Sequence, residues 1–115
     1  PYRLQDVERP NIVNTPFAAY TQGTDFRNTI EAEWTPALDE FKPDLMLISA
    51  GFDAHAADPL GELMLDESDF AWITDFIVAS ANQHAAGRVV SVLEGGYDLR
   101  ALALSVEAHV SHLAA

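Results

Sequence analysis

The sequence predicts an α/β chain built on a parallel sheet, in the order β-α-β-α-β-α. Three observations predict it. Two runs, "DLMLISAG" at 44–51 and "RVVSVL" at 88–93, are apolar at almost every position. Strands covered on both faces read this way, whereas strands with one wet face alternate. Longer stretches beside these runs bring an apolar residue back every three or four positions, the period of a helix with one buried stripe. Gly and Pro punctuate the joins, and strands alternating with helices argue for parallel pairing through helical crossovers.

Taken in order, residues 1–10 ("PYRLQDVERP") have no period and read as an irregular lead-in to a single domain spanning 1–115. "NIVNTPF" (11–17) reads as a short extended piece ended by Pro16, and "AAYTQGTD" as a polar loop. Phe26, Ile30, Trp34, Leu38 and Phe41 then form the stripe of a helix that Thr24 or Asp25 can cap. Pro36 inside it predicts a kink or break near Thr35, because proline removes a helix N–H and crowds the preceding turn.

After the run at 44–51, "FDAHAADPLGELML" shows no period. Pro59 pushes Asp58 toward extended dihedrals, so Asp58 belongs to a loop. The next helix has the clearest start. Asp66 caps it, Asp69 puts a negative charge at its third position, and Leu65 and Phe70 stand where a hydrophobic staple forms. Phe70, Ile73, Phe76, Ile77 and Ala81 make its buried stripe, and Gly87 suits the C-terminal turn. Beyond the run at 88–93, Asp98 can cap a last helix reaching about His112, with Leu99, Leu102, Val106, Val110 and Leu113 inward.

Composition narrows the function. A chain of 115 residues that is 49% hydrophobic folds as one small globular domain. No apolar run reaches the ~18 residues of a membrane span, and no signal-peptide pattern opens the chain. The lack of cysteine excludes disulfides and thiolate metal sites, and it fits a reducing cytoplasm. The net charge of −12 repels phosphate backbones, and Arg3, Arg9, Arg27, Lys42, Arg88 and Arg100 are scattered, so nucleic acid is not an expected partner. An acidic surface keeps a protein soluble and can also steer a cationic ligand.

Ligands of open parallel sheets bind beyond the carboxyl ends of the strands. Two loops leave such ends here. One carries Asp53, His55 and Asp58; the other carries Glu94 and Tyr97, behind Gly95 and Gly96. Asp53 and His55, two apart, have the donors a zinc site uses, yet a loop Asp in a turn beside an exposed His has the same spelling. Asp58 is a metal ligand or an Asp-Pro turn. Tyr97 is a phenol aimed at a developing oxyanion or a core ring with its hydroxyl satisfied. Gly95 and Gly96 allow unusual dihedrals, but no phosphate-binding glycine pattern is present. His84, His109 and His112 lie on helices; His109 and His112 share a face as a possible metal pair, and without further ligands they read as a solvated face.

Together these residues carry a resemblance. "KPDLMLISAGFDAHAADPLGELML", then "DESDFAWIT", then "GRVVSVLEGGYDLRALALSVEAHV" resembles the C-terminal portion of the histone deacetylase family, nearest its bacterial histone-deacetylase-like and acetylpolyamine-amidohydrolase branches. The resemblance covers residues 11–113 and implies the arginase–deacetylase fold, a three-layer arrangement with a parallel sheet between helices and Zn2+ at its carboxyl rim. It implies a hydrolase of acetyl-lysine or acetylpolyamine amides. Asp58 matches the family's second zinc-binding aspartate, Tyr97 its oxyanion-stabilising tyrosine, and Gly95 and Gly96 the glycines of the tyrosine loop. Asp53 matches a supporting loop acid. His55 falls where the family supplies no ligand.

The family's metal-binding Asp-x-His, on an upstream strand, and its His-His pair have no counterpart in this sequence. Catalytic zinc takes three protein ligands, so the resemblance implies a piece that is inactive alone. Strands taken from a larger sheet leave an open edge, which predicts self-association. Two other readings remain at this point: a non-catalytic interaction module, and a small α/β domain that binds a cationic ligand at the acidic rim.

Overall fold

Five elements follow one another in residues 11–115, which the computed structural model describes: α1 (Gly23–Phe41), β1 (Met46–Ala50), α2 (Glu67–His84), β2 (Val89–Leu93) and α3 (Leu99–Leu113). The expected lead-in at 1–10 lies outside the described residues. The two strands pair in parallel, from Met46 opposite Val89 to Ala50 opposite Leu93. The chain is thus α/β with a parallel sheet and three helices, the two strands joined by one helical crossover, α2.

The extended piece at 11–17 is not a strand. Its side chains are tied to α1 instead: Thr15 Oγ1 donates to Glu33 at 2.7 Å and accepts from Trp34 Nε1 at 3.0 Å. Phe17 packs on Phe26 with ring centroids 5.4 Å apart. Helix α1 also corrects two expectations. It begins at Gly23, with Gln22 at the N-cap and no side-chain cap bond, so Asp25 lies in the first turn as a charge on the helix dipole. It runs unbroken through Pro36. The missing N–H removes one internal bond, and the helix continues on either side.

Helix α2 starts as its sequence demands. The Asp66 carboxylate accepts from the N–H groups of Ser68 and Asp69, and Asp69 reaches back to the Asp66 N–H, closing a capping box. Leu65 and Phe70 are both buried. They join Ala50 and Phe52 in the core, against which Phe26, Ile48, Leu102 and Val106 pack. Phe52 meets Phe70 edge-to-face at 5.1 Å.

Helix α3 is rotated in part from the expected stripe, with Leu102 and Val106 packed on the core as expected. Asp98 caps it by accepting from the Ala101 N–H at 2.8 Å. The buried positions, however, are Ala101, Ser105 and His109, while Leu99 is 81% and Val110 53% exposed. Ala101 and Ser105 take this face, and His109 joins them through its bond to Thr74, because α3 packs on α2, where Thr74 and Ala81 are fully buried.

The sheet is covered on one side only by these residues. Ile48 and Ser91 face inward; Leu47, Val90 and Val92 on the other face are 73%, 49% and 57% exposed. The continuous apolar runs call for cover on both faces. Residues 11–115 supply it on one.

Candidate active site

The parallel ladder continues past the strand ends and sets the site. Glu94 N–H donates to Ala50 O at 2.9 Å, and Phe52 N–H donates to Gly95 O at 2.7 Å. These bonds hold the loop after β1 against the loop after β2, so the two expected loops do meet at one rim. Both glycines of the tyrosine loop are used. A Cβ on Gly95 would stand 2.9 Å from the Asp53 carboxylate, which fills the notch the glycine leaves. Gly96 has φ of +137°, open to glycine alone, and a Cβ there would meet Leu102 at 2.7 Å.

Asp58 lies in the loop between β1 and α2, with 8% of its surface exposed. Pro59 and the turn behind it shape its surroundings. Asp58 Oδ1 accepts from the N–H groups of Leu60 at 2.8 Å and Gly61 at 2.9 Å. Asp58 Oδ2 accepts from the N–H of Tyr97 at 2.8 Å. Burial pushes the Asp58 pKa up, but the backbone N–H groups of Gly61, Tyr97, Leu60 and Asp98 outweigh it and hold the carboxyl below its ordinary value of 3.8. Asp58 is therefore a charged carboxylate at neutral pH. Tyr97 is 54% exposed. The core-ring reading of this tyrosine is thereby excluded, and its phenol stands at the open rim.

His55 differs from the exposed loop histidine that its spelling allows. Its side chain is 12% exposed. Its ring lies parallel to Phe70, 7° between planes and 6.4 Å between centroids. Nδ1 accepts from the Ala57 N–H at 3.0 Å, so Nε2 carries the proton and donates to Glu67 Oε1 at 3.2 Å. Both ring nitrogens are spent on shaping the loop that carries Asp58.

A buried polar clamp escaped the sequence reading. His109, expected on a solvated face, is 7% exposed. Thr74 Oγ1 donates to Phe70 O at 2.6 Å, so it accepts from His109 Nδ1–H at 2.7 Å. His109 Nε2 then accepts from Ser91 Oγ at 2.8 Å. Burial pushes the His109 pKa down, and the ring is neutral. The four-residue spacing of Ala101, Ser105 and His109 was the signal for this face. His112 is not paired with it and instead meets Asp75 at 2.7 Å.

Among the described residues no group of three or more His, Asp or Glu side chains converges to hold a metal ion. Asp58 does not belong to any such group of three, the number of protein ligands that a catalytic zinc takes. A zinc ion bound here needs ligands from outside these residues.

The matching family model is the histone deacetylase domain, over residues 3–113. The chain is 39% identical over 103 residues to type-2 histone deacetylase 1 of Dictyostelium discoideum, covering 90% of this chain and 7% of that protein. It is 51% identical over 69 residues to a probable deacetylase of Methanothermobacter thermautotrophicus, covering 59% and 19%. It is 45% identical over 62 residues to a histone deacetylase-like amidohydrolase of Pseudomonas aeruginosa, covering 54% and 16%. Among solved structures, the histone deacetylase Clr3 superposes with a TM-score of 0.79 at 33% identity, over 88% of this chain and 16% of that one. The chain thus spans less than a fifth of the length of each of these relatives.

Proposed function

The chain belongs to the histone deacetylase family, and from that premise we propose that it is the C-terminal section of a cytoplasmic zinc-dependent hydrolase of acetyl-lysine or acetylpolyamine amides. The observation that carries this is the rim itself: a charged carboxylate, Asp58, hydrogen-bonded to the main chain of an exposed tyrosine, Tyr97. In the complete site Asp58 is one zinc ligand. The Tyr97 hydroxyl donates to the oxygen that gains negative charge as the amide carbonyl becomes tetrahedral. Asp53, Gly95 and Gly96 support the tyrosine loop. The other zinc ligands and the general base come from residues outside this chain.

Alone, the chain is inactive and binds zinc no better than micromolar, because one carboxylate cannot hold a catalytic zinc ion. Among the described residues the sheet has two strands only, and their outer edges support self-association through the open sheet edge. The test is an acetate-release assay on an acetyl-lysine peptide and an acetylpolyamine. The 115-residue chain is assayed alone and mixed with the upstream portion of the Methanothermobacter relative. Turnover in the mixture only, lost in Asp58→Ala, supports the proposal. Turnover by the chain alone, abolished by Tyr97→Phe, overturns its inactivity. Sedimentation of the chain alone reads the association.

A further inference from the structure

A carboxylate and a phenol need only be near one another, yet in this rim the main chain that carries the phenol is bonded to the carboxylate. The Tyr97 N–H donates to Asp58 Oδ2 at 2.8 Å across 39 residues of sequence, joining loops that leave different strands. We propose that Asp58 is the positioning residue of the tyrosine turn, setting the backbone from which the Tyr97 phenol projects.

Three observations carry this. First, the turn needs a tether. Gly96, at φ of +137°, gives the chain freedom just before Tyr97, and the Tyr97 side chain is more than half exposed. The neighbouring backbone anchors are Gly95 O, which accepts from Phe52 N–H, and Asp98 O, which accepts from Leu102 N–H. Between them, among the described residues, the Tyr97 N–H is bonded to Asp58.

Second, Asp58 is itself fixed. Its Oδ1 sits in the Leu60–Gly61 turn, and its own N–H donates to His55 O at 2.9 Å. The His55 ring, braced by Ala57 N–H, Glu67 and Phe70, ties that loop to the start of α2. Constraint therefore runs from α2 through His55 and Asp58 to Tyr97.

Third, the charge is well placed. Oδ2, on the Tyr97 N–H, lies next to the Asp98 N-cap of α3, where the helix dipole favours a carboxylate. A charged acceptor makes the bond stronger than a neutral one would.

The bond predicts an asymmetry that ligation alone does not. Asp58→Asn keeps the shape but has one acceptor oxygen and one NH2 group. Its oxygen stays with the two N–H groups of the Leu60–Gly61 turn, which outnumber the single one of Tyr97, so the NH2 group faces the Tyr97 N–H and that bond is lost. The experiment is solution NMR on the doubly labelled 115-residue chain. A scalar coupling between the Tyr97 amide nitrogen and the Asp58 carboxylate carbon is expected, and its absence overturns the proposal. In Asp58→Asn the Tyr97 amide should exchange with solvent roughly 10- to 100-fold faster, the loss of one bond to a charged group. The Phe52 amide, bonded to Gly95 O, should keep its protection. Unchanged Tyr97 exchange in a folded variant also overturns it. If the variant unfolds, the coupling in the unmutated chain decides. The purpose of the positioning rests on the function proposed above, but the bond does not: a chain that shows the coupling and yields no turnover when complemented sinks the function alone.

Discussion

Asp58 and His109 are both buried ionisable groups, and they are satisfied in opposite ways. Asp58 keeps its charge because backbone N–H groups from two loops surround its carboxylate. His109 is neutral because burial disfavours its charge, and two side-chain hydroxyls take its ring nitrogens. The first arrangement is built at an open rim, on the main chain of an exposed tyrosine. The second clamps α2, α3 and β2 in the interior and presents nothing to solvent. A buried charge held by main chain at a rim marks a site, whereas a neutral ring held by hydroxyls between elements marks packing.

Breaking the rim's chemistry should have the largest effect. In the complemented enzyme, Tyr97→Phe removes only a hydroxyl and should lower kcat about 100- to 1000-fold, the usual cost of one oxyanion donor. The chain's thermal midpoint should not move, because the phenol is exposed. A large drop in midpoint would return Tyr97 to a packing role.

Next comes the rim's scaffold. Gly61 donates to Asp58, and a Cβ there would stand 1.7 Å from the Asp53 carbonyl oxygen, a backbone atom that cannot swing aside. Gly61→Ala should destabilise the chain by roughly 3 kcal/mol in urea unfolding. His109→Ala strikes the interior clamp instead. It leaves a cavity and strips Ser91 of its acceptor, for roughly 2 kcal/mol. The two variants should separate by exchange at Tyr97: Gly61→Ala frees that amide and His109→Ala leaves it protected.

The smallest effect is the pH dependence of the clamp. His109 titrates below its ordinary 6.5 in the folded chain, so the unfolded chain binds the extra proton first as pH falls. Its contribution is complete above pH 6.5 and is lost as pH falls from there through the folded value. His109→Gln should flatten that slope when unfolding is followed by denaturant from pH 7.5 to 5. Asp58 contributes nothing in this window, because its depressed pKa places its loss below the ordinary carboxylate value of 3.8.

The parts of this molecule legible in the sequence share a physical cause: they depend on neighbours close along the chain. The α2 capping box at Asp66 and Asp69, the Asp98 cap of α3, the strand runs at 44–51 and 88–93 and the loop placement of Asp58 by Pro59 are all local. The family spelling around Asp58 and "EGGYD" was legible for the same reason.

The rest needed contacts across tens of residues. No local rule turns 11–17 from a strand into a segment tied to α1, because that follows from what packs alongside, and α1 continues through Pro36 against the local rule. The face of α3 was decided by its packing on α2, which buries Ala101, Ser105 and His109. The Asp58–Tyr97 bond spans 39 residues and uses a backbone N–H, a donor common to every residue but proline. Sequence alone determined which residues can carry chemistry here. Tertiary structure alone decided that a main-chain hydrogen bond joins the carboxylate to the turn of the phenol.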